Sequence, residues 1–223
     1  MRHLKPAVFL ALLVSSAALS AAPQGGAVTG TIPLPPRPAG RIAVEKYTGT
    51  ISGKVAAPPP PCAGVWIEGP GVAAPAAPQR VVLTQQGYQF SRSLLVVPRG
   101  TAVEFPNNDN DYHNIFSLSR AKKFDAGRYK KNEAPAPVVT FDKAGFVRVQ
   151  CEIHEHMKAA VLVVDSPWST TTDAAGKFTL TGISPGSYTL RAQLDEKTQW
   201  SAPVTVTAGK TVTADFSKPA VLP

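Results

Sequence analysis

Apolar and polar residues alternate along much of the chain in short runs that are typical of β-strands. Between residues 80 and 164, the runs are rich in β-branched and aromatic residues, and turn signals such as Pro98-Arg99-Gly100 separate them. Several short strands at this spacing predict a β-sandwich. The predicted strands cover residues 80–84, 94–97, 101–105, 138–141, 145–150 and 159–164.

A second set of alternating runs follows Asp165-Ser166-Pro167. We expect a smaller β-sandwich module over residues 166–218, near the lower size limit for independent folding. This module contains no His, Cys or Met and offers no soft metal ligand. Its predicted strands cover residues 177–180, 187–192, 202–206 and 211–216.

The start of the chain is typical of an export signal. A basic start precedes an apolar run from Ala7 to Leu19 that ends in small residues. Because this run is too short and too poorly flanked for a membrane span, we predict a signal peptide over residues 1–22. We therefore expect a periplasmic or secreted protein, with no stable membrane insertion of the mature chain. Residues 23–46 are rich in proline and glycine and predict a flexible lead-in outside any fold.

The composition adds a moderate positive charge. The 223 residues carry a formal net charge of +8. Without clustered basic runs interleaved with aromatic residues, this surplus gives no reason to expect a nucleic-acid partner. It could attract an acidic protein or an anionic membrane surface, or it could serve solubility.

Soft metal ligands are concentrated in the seven residues from Cys151 to Met157. This segment holds one of the two cysteines, two of the four histidines and the only methionine after the start residue. His113 lies in a second predicted loop, and His3 lies in the predicted leader. A thiolate, imidazoles and a thioether are a donor set that copper prefers over hard oxygen ligands. We therefore predict a copper site made by two loops at one end of the sandwich.

The other cysteine, Cys62, lies beside the proline run Pro58 to Pro61 with no other ligand nearby, and we interpret it as structural. A disulfide between Cys62 and Cys151 is the alternative, because exported proteins meet an oxidising compartment.

The ligand pattern resembles that of the cupredoxins. Gly-Thr-x-Val-x-Phe at residues 100–105 is followed by His-Asn at 113–114 and by Cys-x-x-His-x-x-Met at 151–157. The loop spacing is similar to the short amicyanin type. The resemblance covers residues 47–165, about half the chain, and implies an all-β fold with a Greek-key cupredoxin β-sandwich.

The same resemblance implies one mononuclear type 1 copper ion. Its ligands would be His113, Cys151, His154 and Met157, the last as a weak axial ligand. Asn114 would tie the two ligand loops together, and an exposed edge of His154 would be the electron exit.

One feature departs from the cupredoxin pattern, because His156 stands immediately before Met157. On an extended segment His154 and His156 point to the same side, while Met157 points to the other. A site of three histidines and one cysteine is therefore the alternative ligand set.

The C-terminal part is similar to carboxypeptidase regulatory-like β-sandwich modules. The shared patterns are Asp-x-x-Gly-x-Phe-x-Leu at residues 173–180 and Ile-x-Pro-Gly-x-Tyr-x-Leu at 183–190. This resemblance concerns the fold of residues 166–218 and implies no activity.

Together these patterns favour an exported one-electron carrier that works between redox partner proteins. We expect no enzymatic activity, since no nucleophile, base and orienting group occur in series. A copper-binding delivery or sensing protein is the alternative from another class. A cell-envelope scaffold without redox function is a third.

Overall fold

The computed structural model describes residues 25–37 and 51–221, apart from positions 52, 76, 78 and 134. The predicted signal peptide, residues 1–22, lies outside this part. Within the described residues the chain forms sixteen β-strands and no helix, so none that could cross a membrane, and the predicted all-β class is confirmed. The strands are β1 Gly26–Thr31, β2 Gly64–Glu68, β3 Arg80–Val82, β4 Leu94–Pro98, β5 Thr101–Glu104, β6 His113–Ser119, β7 Lys122–Tyr129, β8 Val138–Phe141, β9 Gly145–Cys151, β10 Lys158–Val164, β11 Ser169–Thr171, β12 Lys177–Ile183, β13 Gly186–Gln193, β14 Thr198–Val206, β15 Thr211–Thr213 and β16 Ala220–Val221.

Strands β3 to β10 form the first sandwich. Its five-stranded sheet has the order β4-β10-β9-β6-β7, in which β4 and β10 run parallel and the other neighbours run antiparallel. Its three-stranded sheet has the order β3-β5-β8. Along β9, Val147, Val149 and Cys151 point into the core between the sheets, as the period of two residues in a strand requires.

The core of the first sandwich is rich in aromatic side chains. Phe105 and Phe141 are fully buried, and each burial stabilises the fold by about 1.5–3 kcal/mol. Cys151 and Met157 belong to the same apolar cluster. Packing therefore anchors both ends of the segment that carries the predicted copper ligands.

The remaining strands form the second sandwich. One sheet has the order β12-β1-β15, and the other has the order β11-β2-β13-β14-β16. Its core includes Val28, Ile67, Ile183 and Leu190, all fully buried.

Three strands of the second sandwich come from outside residues 166–218, namely β1 and β2 before them and β16 after them, which corrects the predicted domain division. Strand β1 lies in the predicted lead-in, yet it pairs with both β12 and β15. Its glycines permit close approach of strands, since a Cβ at Gly30 would lie 2.0 Å from the carbonyl oxygen of Ala214. Strand β2, within the predicted copper domain of residues 47–165, pairs with β11 and β13 instead.

The two sandwiches share a packed interface along β10. Successive residues of this strand are buried on both sides: Val161 and Val163 face the first core, while Leu162 and Val164 contact Trp66 of β2. A continuous apolar run is the pattern expected of a strand covered on both faces.

Gly64 lies where the two sandwiches approach each other closely. A Cβ at this position would lie 2.5 Å from Leu162 Cδ2 and 2.6 Å from Val96 Cγ2. We predict that Gly64→Val lowers the free energy of unfolding by about 1–3 kcal/mol, the cost of overpacking a well-packed core. Urea unfolding followed by circular dichroism measures the change. Adding Leu162→Ala should recover part of the loss if the clash is its cause, whereas additive losses would contradict this account.

Candidate metal centre

Backbone hydrogen bonds shape the loop that carries Cys151 and His154. Cys151 ends β9, and residues 152–157 connect it to β10. The Cys151 N–H donates to the Met157 carbonyl (3.2 Å), and the Met157 N–H donates to the His154 carbonyl (2.8 Å). This fold of the loop brings the side chains of Cys151 and His154 to the same point.

A second loop positions His113, the first residue of β6. The Asn107 amide group donates to the carbonyls of Asp111 (2.9 Å) and Tyr129 (3.0 Å), and its oxygen accepts from the Asp109 N–H (2.9 Å). The predicted meeting of the two loops is therefore present, since β6 and β9 are neighbours in the sheet.

The three donor atoms lie close together. His113 Nδ1 and His154 Nδ1 are 3.0 Å apart, and each lies 3.8 Å from Cys151 Sγ. A metal with bonds of about 2.0 Å to nitrogen and about 2.3 Å to sulfur in one plane would separate N and S by about 3.7 Å. The donors therefore fit one metal ion, and the cluster is compatible with copper binding.

A carboxylate orients the first imidazole. His113 Nε2 donates to Asp109 Oδ2 (2.9 Å), and the same carboxylate accepts the N–H groups of Gly87 (2.7 Å) and Tyr88 (2.9 Å). Burial raises the pKa of Asp109, but these three hydrogen bonds outweigh it and leave the pKa below its ordinary value. An ionised Asp109 fixes the proton on Nε2, so that Nδ1 of His113 is available to a metal.

The thiol of Cys151 is acidic for a buried group. Burial raises its pKa, but hydrogen bonds from His113, His154 and the backbone N–H groups of Asn114 and His154 lower it to about 6. Burial has the opposite effect on His113 and lowers its pKa. The hydrogen bonds of His113 to Asp109 and Cys151 outweigh burial and raise the pKa above its ordinary value. The metal-free site therefore favours a Cys151 thiolate beside a protonated His113 imidazole. The thiolate is the form of sulfur that binds metals.

The two candidates for a fourth ligand have different surroundings. Met157 is fully buried in the core cluster that includes Cys151. His156 is half-buried, and its Nε2 lies 2.9 Å from the carbonyl oxygen of Tyr88, to which it donates. Its ring centroid is 6.2 Å from that of His154. Met157 and His156 both stay candidates for the fourth ligand, the first packed beside Cys151 and the second bonded through Nε2 to the Tyr88 carbonyl.

Asn114 links the two loops in a different way from the expected one. Its side chain donates to Asp125 Oδ1 on β7 (2.6 Å), while its backbone N–H donates to the sulfur of Cys151. The link to the ligand loop therefore comes from the backbone of Asn114. Its amide instead joins β6 to β7.

The expected exposed edge of His154 is absent, because this residue is only 4% exposed. The ring of Tyr88 covers it, with centroids 5.1 Å apart, and lies 5.8 Å from the ring of His113. The phenol donates to Asp111, and the backbone of Tyr88 is left-handed with φ of 58°. Sequence reasoning missed Tyr88 and the role of Asp109, because their contacts join loops far apart in the chain.

Cys62 lies outside the metal centre. Both cysteines are free thiols, so the alternative of a Cys62–Cys151 disulfide is wrong. Cys62 Sγ is 3.3 Å from Ser93 Oγ and packs against the interface between the sandwiches.

We predict that the thiol of Cys151 in metal-free protein ionises with a midpoint near pH 6. In a Cys62→Ser background, ultraviolet thiolate absorbance should rise as the pH increases through this value. Because the pKa is lowered from 9.0 in folding, the thiolate contributes stability that is fully present above about pH 9 and is lost as the pH falls through about 6. A midpoint at the ordinary thiol pKa of 9.0 would contradict the hydrogen-bonded site.

The comparisons with known proteins give matches to both parts of the chain. Residues 144–218 match the family model of the carboxypeptidase regulatory-like domain, which begins at the turn before β9 of the first sandwich. A comparison with curated proteins finds no match.

Solved structures that are similar to part of this chain include three proteins. The Cu-containing nitrite reductase from Thermus scotoductus SA-01 is 25% identical with a TM-score of 0.36, over 42% of this chain and 25% of that protein. This chain thus spans about a quarter of its length. Amicyanin from Paracoccus versutus is 20% identical with a TM-score of 0.35, over 45% of this chain and 97% of that protein. A purple cupredoxin from Nitrosopumilus maritimus is 22% identical with a TM-score of 0.33, over 39% of this chain and 99% of that protein.

Proposed function

We propose that the protein is an exported type 1 copper protein that carries one electron at a time between protein partners. One observation carries this proposal: two imidazole nitrogens and one cysteine sulfur, all buried, lie within 3.8 Å of one another. Two histidines, one cysteine and a weak methionine ligand are the donor set of copper electron-transfer sites.

His113, Cys151 and His154 would hold the ion, and Met157 would be the weak fourth ligand. Copper bound there would supply the Cu(I)/Cu(II) couple. The chain itself supplies rigidity, because Asp109 holds the His113 ring and core packing holds Cys151. Fixed donors limit rearrangement when the oxidation state changes, which favours fast electron transfer.

Burial of the ligands supports a resident metal over a transported one. His113 is fully buried, and His154 and Cys151 are 4% and 3% exposed. A delivery protein must surrender its metal to a partner's ligands, which requires access to the donors. Electron transfer requires only that a partner approach the surface outside the ligands, where the buried Tyr88 and the half-buried His156 cover His154.

The electron carrier would act outside the cytoplasm and without enzymatic activity. Export is supported by the leader pattern at residues 1–22. The partners would be redox proteins that exchange electrons with the site.

We predict that wild-type protein loaded with Cu(II) shows an intense visible thiolate-to-copper band and that Cys151→Ser abolishes it. The sulfur of Cys151 supplies the electron density for this transition. Cys62→Ser is the matched control and should keep the band, because Cys62 lies outside the centre. Bound copper without the band in the wild type would favour a delivery protein, and failure to bind copper would favour a scaffold.

We predict that Met157→Gln lowers the reduction potential and changes the visible spectrum, because a harder donor favours Cu(II). A ten-fold gain in the relative affinity for Cu(II) would correspond to about 59 mV. His156→Ala should change both properties much less, since the imidazole of His156 is bound to the Tyr88 carbonyl. A large change for His156→Ala with little change for Met157→Gln would support the ligand set of three histidines and one cysteine.

A further inference from the structure

The outer face of the five-stranded sheet is divided into a covered half and an open half. Strands β4 and β10 lie under the second sandwich, where Leu94 and Leu162 pack against Trp66. Strands β6 and β7 and the outward residues of β9 continue the same sheet beyond this cover. We call the outward side chains of this second half the open face.

The open face has an apolar centre. Leu118 on β6 is 76% exposed, the most of any large apolar residue in the described chain. Phe116, two residues earlier on the same face, is partly exposed beside it. The register places Lys123 opposite Leu118, and Gln150 opposite Phe116.

Cations lie beside this centre. Lys123 stands opposite Leu118 on β7, and Arg120 directly follows β6. Arg148 stands on the same face of β9 as Gln150 and is paired with Glu196. Arg120 and Lys123 are exposed and form no salt bridge within the described residues. Asp125 stands opposite Phe116 on this face, and its carboxylate accepts hydrogen bonds from the Asn114 amide and the Gly127 N–H.

We propose that the open face binds an acidic protein surface that carries an apolar side chain at its centre. Leu118 and Phe116 would contact the apolar side chain, while the unpaired cations Arg120 and Lys123 would face carboxylates. Charge complementarity around an apolar centre steers association and fixes orientation. This inference does not depend on a bound metal.

Protection of a sheet edge explains only part of this arrangement of cations and exposed apolar side chains. Lysines on an edge strand such as β7 hinder pairing with other chains. The side chain of Leu118, however, stands on the face of β6, which already has β7 and β9 as neighbours. Edge protection therefore does not account for a highly exposed leucine among these cations.

A protein partner fits the open face better than an anionic membrane does. Several of the nearby cations are already paired: Arg128 with Glu152, Lys122 with Asp142 and Arg148 with Glu196. Membrane binding requires many unpaired cations or a long amphipathic segment. The open face has two unpaired cations, Arg120 and Lys123, and one highly exposed leucine, and so provides neither.

The test is a nuclear magnetic resonance titration of the isotope-labelled chain. The probe is a soluble peptide of alternating Glu and Leu, and a peptide of alternating Gln and Leu is the uncharged control. We expect the Glu peptide to shift the signals of Phe116, Leu118, Lys123 and Arg148 and to bind more weakly as salt is added. Shifts spread over both sandwiches, or equal binding of the Gln peptide, would overturn the proposal.

Charge-reversal variants locate the surface. Arg120→Glu/Lys123→Glu should weaken binding of the Glu peptide about ten-fold, the combined effect of two exposed ion pairs turned to repulsion. Lys177→Glu/Lys210→Glu makes the same change in net charge on the second sandwich and should leave binding unchanged. Equal losses in both variants would indicate attraction by net charge alone and would overturn the proposal.

Two further measurements separate the remaining outcomes. Leu118→Gln should also weaken peptide binding while the melting temperature stays the same, because this side chain is exposed. Co-sedimentation with phosphatidylglycerol vesicles tests the membrane alternative. Vesicle binding that Arg120→Glu/Lys123→Glu abolishes, without peptide binding to the wild type, would assign the face to a lipid surface instead.

Discussion

The arrangement of the first sandwich depends on the burial of two imidazole side chains and one cysteine sulfur in contact with one another. Burial without a metal costs free energy for His113, Cys151 and His154 unless their polar atoms have hydrogen-bond partners. Asp109 supplies one partner, and backbone N–H groups of Asn114 and His154 supply others. The loops before β6 and after β9 have the shapes that these bonds require.

Pre-organisation of this kind explains why much of the site lies outside the ligand loop itself. Asn107 fixes the loop that contains Asp109, and the turn at Gly87 and Tyr88 places two N–H groups on the Asp109 carboxylate. The carboxylate in turn orients His113. A metal ligand held through two layers of hydrogen bonds changes position little when its charge changes.

The sequence predicted the features that depend on local pattern. Alternation gave the class and most strands of the first sandwich, and the donor types gave the three ligands that converge. It did not predict the partners of β1 and β2, since their pairing with strands more than 100 residues later leaves no local signal. For the same reason the sequence did not predict the contact of Tyr88 with His113 and His154. The glycines of β1 predict a flexible segment, whereas in the structure Gly30 permits close packing of strands.

The first sandwich is inserted in the chain between strands β2 and β11 of the second sandwich. We call the first sandwich the guest and the second sandwich the host. Strands β1 and β2 are made before the guest, and β11 to β16 after it, so the host sheets close only when the C-terminal strands arrive. The guest, by contrast, is complete once β10 has emerged. Such long-range closure is slow relative to local pairing. The guest can thus assemble its ligand loops first and then present the outer side of β10 as a template on which the host assembles.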